Sequence, residues 1–236
     1  MVGYCANSFR KLRVMITIKS AIAVFRKDLI LESRTKFGVN TILAFVLSSL
    51  MVLIFSLRAG DLPDHAVSGL FWIIVLFAAL SSLSRSFVSE SDQNTLELLR
   101  LRFPATHIYT GKLIYNFLFT LAVAMFTFIL YIFFLNISVT LFTITLIALV
   151  FGSLGLASVS TLLASLVAQG NQRGAIFSVL AIPLLIPLIL IVSKLTFTGF
   201  FGDTDGSYVS DTAALIGYCG VTITAGSLLF DFVWND

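Results

Sequence analysis

Long apolar runs separated by short polar breaks set the pattern of this chain. Six of them predict six membrane-spanning helices: Phe37–Leu57, Ala66–Leu83, Leu113–Leu135, Val139–Val167, Ala175–Val192 and Thr212–Val233. Each approaches or exceeds the roughly 20 residues that an α-helix needs to cross the hydrocarbon core. The fourth run holds Gly152, Ser153, Gly155, Ala157, Ser158 and Ser160. Small residues let helix backbones approach closely in lipid, so this run predicts a packing face. The fifth carries Pro183 and Pro187 one turn apart. Each proline removes a backbone hydrogen bond, which predicts a kink, either a hinge or a fixed bend.

The longest break after Arg34 is Ser84–Lys112, and it predicts a short helix of its own. Asn94 is a good N-cap, and Glu97 follows at capping-box spacing. Leu96, Leu99 and Phe103 share a face that Leu98 and Leu101 widen. Pro104 ends the helix. Such an amphipathic helix between two spans suits either the lipid interface or a groove on a partner protein. Ahead of the first span, Ile18, Ile22, Phe25 and Leu29 recur at helical spacing among Lys19, Arg26, Lys27 and Glu32. This predicts an amphipathic elbow helix on the cytoplasmic membrane surface within residues 1–36. The same residues lack the apolar core and cleavage site of a signal peptide.

Composition agrees with a single membrane domain over 37–236. The chain of 236 residues is 58% hydrophobic and 11% charged, against about 25% charged in soluble domains. The basic balance does not point to nucleic acid, because its placement is that of topology-setting charge. Of 15 basic residues, eight precede Phe37, four lie in Ser84–Lys112 and one is Arg173, leaving only Arg58 and Lys194. Both termini and the Ser84–Lys112 stretch are therefore expected on the cytoplasmic side. The loops at 58–65 and 196–211, with Asp61, Asp64, Asp203, Asp205 and Asp211, are expected on the other.

Candidate chemistry is sparse. These span limits leave no ionisable group at membrane depth, which argues against an ion-coupled transporter. The phosphate loop GxxxxGK[ST] is absent: Gly111-Lys112 is followed by Leu113, and position 106 is Thr. His65 and His107 fall on opposite sides of the membrane, so they form no ligand pair, and no metal site is expected. His65 reads as a solvated loop residue, with haem-iron ligation the minor alternative. Cys5 and Cys219 support neither a disulfide framework nor a metal pair. Catalysis by this chain alone is not expected. The pattern fits the membrane half of a transporter whose ATPase is a separate polypeptide.

Two motifs carry a resemblance. Around the short helix the chain reads Phe87, then Gln93-Asn94-Thr95-Leu96-Glu97-Leu98-Leu99, then Pro104; in the fifth span it reads Ile182-Pro183-Leu184-Leu185-Ile186-Pro187-Leu188. Both are similar to the haem exporter protein B family, the permease of the cytochrome c maturation system. That family's pattern is an acidic stretch, Asp-Gly-[Ser/Thr]-Leu-Glu-x-Leu, a proline, and later Leu-Pro-Leu-x-x-Pro. The resemblance covers most of 20–195. It departs at Gln93-Asn94, where Asn can both cap a helix and adopt left-handed geometry.

The resemblance implies an all-α, six-span permease of the type-2 ABC exporter fold with an elbow helix, in the bacterial inner membrane. Two permease copies would work with two ATP-binding A-component subunits, alongside the haem-handling C and D components and membrane lipids. ATP would be bound by the partner and haem would be a substrate of the complex, with no cofactor held by this chain. ATP hydrolysis would drive haem export or release of the haem-loaded E-component chaperone. The ATPase-coupling residues implied are Glu90, Asp92, Asn94, Glu97, Leu98, Leu99 and Pro104, with the coupling helix at about 90–104. Two alternatives remain open: a type-2 permease for a polysaccharide, lipid or drug, and a non-transport membrane scaffold of an assembly complex.

Overall fold

A computed structural model of the chain describes residues 37–56, 62–92, 105–167, 173–202 and 206–235. Among them are six α-helices and no strand: α1 (Phe37–Ser56), α2 (Asp64–Asp92), α3 (Ala105–Leu135), α4 (Phe142–Val167), α5 (Arg173–Phe201) and α6 (Tyr208–Asn235). The elbow helix expected within 1–36 lies outside the described residues. Four helices carry segments long and apolar enough to cross a membrane: Thr106–Leu135, Phe142–Leu163, Pro183–Phe201 and Tyr208–Phe230. Two shorter apolar segments, Asn40–Phe55 and Asp64–Leu80, lie in α1 and α2.

Local chemistry sets several boundaries. The Pro63 carbonyl accepts from the backbone N–H of Ala66 at 2.8 Å and of Val67 at 3.2 Å, opening α2. Asp64 then supplies the negative charge that a helix N-terminus favours. Asn136, at φ 53°, ends α3 in the left-handed region that Asn tolerates. Gly202, at φ 75°, ends α5 and donates its N–H to the Thr198 carbonyl at 3.0 Å, a left-handed C-terminal cap.

The α5 terminus departs from the expected loop. Thr196–Asp211 was expected as loop, whereas α5 runs on to Phe201 and α6 begins at Tyr208. Gly199 does not break the helix. It lets the first turn of α4 come close: a Cβ there would meet the Thr145 backbone nitrogen at 3.0 Å. The Leu141 N–H donates to the Gly199 carbonyl at 2.9 Å, so the connection is tied to the end of α5. Phe200 is buried, stacked on Phe128 at 6.0 Å and edge-on to Phe71 at 6.3 Å. Phe200 therefore completes the core, with partly buried Phe201 packed against it.

The hub is α4, which packs on α2, α3, α5 and α6. Buried positions make up 72% of its most apolar 18 residues, against 28–44% in the other three. The small residues expected to form a packing face do so. Gly155 receives Leu188 of α5, whose Cδ1 would lie 2.7 Å from an added Cβ. Gly152 receives the Trp72 ring of α2 and Val192 of α5. Trp72 is fully buried, and its Nε1–H donates to Thr196 Oγ1 at 2.7 Å. The hydroxyls of Ser158 and Thr222 share a hydrogen bond of 2.8 Å between α4 and α6, and the Cys219 thiol donates to the Phe151 carbonyl at 3.3 Å. At the periphery, the described side chains of α1 that are buried form the stripe Ile42, Val46, Leu50 and Leu53. Its other face, with Leu47, Met51, Val52 and Phe55, is exposed.

Candidate functional site

The implied coupling residues divide at the end of α2. Glu90 and Asp92 lie on its last turn. Asn94, Glu97, Leu98, Leu99 and Pro104 lie outside the described residues. The second apolar run was expected to end at Leu83, yet α2 continues as helix to Asp92. At 29 residues it is about 43 Å long, well beyond the roughly 30 Å hydrocarbon core. Its first part, Asp64–Leu80, is apolar. Helix α3 begins at Ala105.

Pro183 and Pro187 both lie inside α5, which is helical throughout, and both face outward from the bundle. Pro187 has no N–H for the Pro183 carbonyl, and its ring crowds the carbonyls one turn back. Leu184 supplies one of those carbonyls, and the Tyr218 hydroxyl of α6 donates to it. A neighbouring helix thus supplies a hydrogen bond beside the gap the prolines make.

The main polar feature is on α3. Tyr109, Lys112, Asn116, Thr120, Thr127 and Tyr131 all lie on its buried face. The opposite face shows Ile114, Leu118, Met125, Ile129 and Phe133, all exposed. The helix is polar inward and apolar outward, the arrangement that lipid favours and water does not. The Asn116 Nδ2–H donates to Thr161 Oγ1 of α4 at 2.7 Å. The Tyr131 hydroxyl donates to the Val67 carbonyl of α2 at 3.1 Å. Tyr109 packs on Phe230 at 5.6 Å, and its hydroxyl lies against Gly226 of α6.

Lys112 corrects one expectation. The sequence pattern puts it at the edge of the third run, with no charge at membrane depth. It is instead fully buried within the apolar segment Thr106–Leu135. It lies about 10 Å along the helix from the start of α3 at Ala105. The stripe was legible at Lys112, Asn116 and Thr120, spaced by four. Its members are common polar residues, set apart only by the helix face they share.

At the opposite end, Lys194 also moves from expected loop to helix. It sits in α5 and pairs with Asp211 in the first turn of α6 at 2.9 Å. The Lys194 side chain is 56% exposed, so this bridge contributes little to stability, about 0–1 kcal/mol. His65, in the first turn of α2, stacks on Phe197 with ring centres 3.9 Å apart. Among the described residues no cluster of His, Cys, Asp or Glu could hold a metal ion.

Compared with individual curated proteins, the chain matches none. Compared with protein families, residues 19–230 match the CcmB protein family. The match spans all six helices except the last residues of α6, and it covers both motifs that carried the resemblance. This multi-pass membrane protein with its inward-facing polar helix belongs to the CcmB family, the membrane permeases of the haem-export, cytochrome c maturation ABC systems.

Proposed function

We propose that this chain is a six-span permease that takes up the motion of a separate ATPase through residues 90–104 and passes it to the bundle. The observation that carries the reading is the length of α2. A helix unbroken from Asp64 to Asp92 links the implied contact region rigidly to Trp72 and the core. A push on its polar end is delivered to α4 and α5, against which Trp72 packs. In this reading α1 and α2 are spans alongside the four longer apolar segments. At 20 residues, α1 has a length of about 30 Å, enough for the hydrocarbon core. An elbow helix precedes α1, and the basic end of the bundle faces the cytoplasm.

The ATP-binding partner docks on Asn94–Leu99, with Leu98 and Leu99 in an apolar groove and Glu90, Asp92 and Glu97 at its polar rim. A second permease copy and the haem-handling C and D components complete the assembly, and hydrolysis drives haem export or release of the haem-loaded chaperone. The test is Leu98→Asp in the full chain, followed by a mild-detergent pull-down. Loss of the ATPase subunit with normal membrane insertion is expected. A variant that retains the ATPase as well as the unaltered chain overturns the coupling role.

A further inference from the structure

Buried serine and threonine hydroxyls in these helices follow a rule with three exceptions. Among the described residues, buried Ser68, Thr127, Thr145, Ser158, Thr161 and Thr196 each donate to a carbonyl three or four residues back. This is the local bond open to Ser and Thr in a helix. Thr120, Ser153 and Ser160 do not make it: their hydroxyls are at most 1% exposed and have no protein partner. Asn116 Oδ1 is likewise buried and unpartnered. A polar atom left in this condition in an apolar interior is rare, and a bound water is the ordinary reason for it.

The four groups lie on α3 and α4, which pack against each other. The Asn116–Thr161 bond sets the register of α3 against α4. Ser160 neighbours Thr161. Thr120 lies one turn along α3 from Asn116, and Ser153 lies two turns from Ser160 on the same side of α4. The order from the inner end is Asn116 with Ser160, then Thr120, then Ser153. They are distributed over about 10 Å of helix axis, a spacing that bridging waters span and direct hydrogen bonds do not. Lys112, fully buried, lies one turn inward of Asn116 on the same face.

We infer that the α3–α4 seam is a hydration site, holding a short file of ordered waters from the Asn116 layer to Ser153. The ligand is water itself, bound by three hydroxyls and an amide oxygen. The remaining helix contacts of the hub stay dry. The site is independent of ATPase docking at residues 94–99.

Radiolytic hydroxyl-radical labelling of the full-length chain in lipid nanodiscs tests this, because bound water is activated where it sits. The expected result is labelling of Val123 and Leu156, although both are buried, at several times the level at Val192 and Leu195 of the α4–α5 contact. Equal labelling of the two regions overturns the inference. Thr120→Val and Ser160→Ala give a second readout. If the hydroxyls hold water, each change lowers the thermal midpoint by about 2–4 °C, and the double variant loses less than the sum. If the seam is dry, removing an unpartnered hydroxyl raises the midpoint, and the hydration site is refuted.

Discussion

Gly152 shows how closely the hub is built. An added Cβ would meet the Trp72 ring and would lie 2.6 Å from Val192 Cγ2. Trp72 has little freedom to withdraw, because its Nε1–H is held by Thr196 and its ring meets Phe71 edge-on at 5.3 Å. Gly152→Ala therefore overpacks a rigid contact and should cost about 1–3 kcal/mol. Thermal unfolding in nanodiscs checks this against Gly217→Ala, where nothing lies within 4 Å of the new methyl. A midpoint for Gly152→Ala equal to that of the Gly217 control would mean that Trp72 is not fixed.

The elements differ in how much of them the sequence foretold. The cores of all six helices were legible, because an uncharged run long enough to cross lipid has few alternative folds. Their ends were less so. Lys112 and Lys194 were read as boundaries because they are charged, yet both are helical: one is buried, and the other is paired at the surface with Asp211. The Gly- and Asp-rich composition of 196–211 suggested a loop. Its first part is helical instead, and the Gly199 carbonyl there accepts from Leu141, a tertiary contact that no local pattern reveals. The polar seam was missed for a related reason: its members are common residues, and only their shared face and their missing back-bonds distinguish them.

The proline pair makes its own prediction at this scale. If the Tyr218 hydroxyl compensates for a carbonyl loosened by Pro187, Tyr218→Phe should destabilise by about 1 kcal/mol. The loss should shrink in a Pro187→Ala background, where the backbone N–H is restored. Equal losses in both backgrounds, measured by thermal midpoints, would show that the tyrosine and the prolines act independently.

Across the whole molecule, orientation is the property that the charge pattern addresses most directly. With 13 basic residues expected at one end of the bundle and two at the other, the basic end should be cytoplasmic. Exposed Thr106 and Ser210 lie near opposite ends, in the first turns of α3 and α6. In a background without Cys5, with Cys219 buried, Ser210→Cys should react with an impermeant maleimide in intact spheroplasts. Thr106→Cys should react only after permeabilisation. The reverse pattern would invert the topology, and with it the placement of the ATPase.

The position of α4 at the centre also has a consequence in time. Its partners on two sides, α5 and α6, follow it in the chain. Ser158 is separated from Thr222 by 64 residues, roughly 3–13 s of synthesis at about 5–20 residues per second. During that interval the most enclosed helix of the finished protein stands in lipid beside its predecessors alone, with its glycine grooves unfilled. Whatever shields that face during synthesis, be it lipid, the insertion machinery or another membrane protein, holds a place that Leu188, Val192 and Thr222 later take.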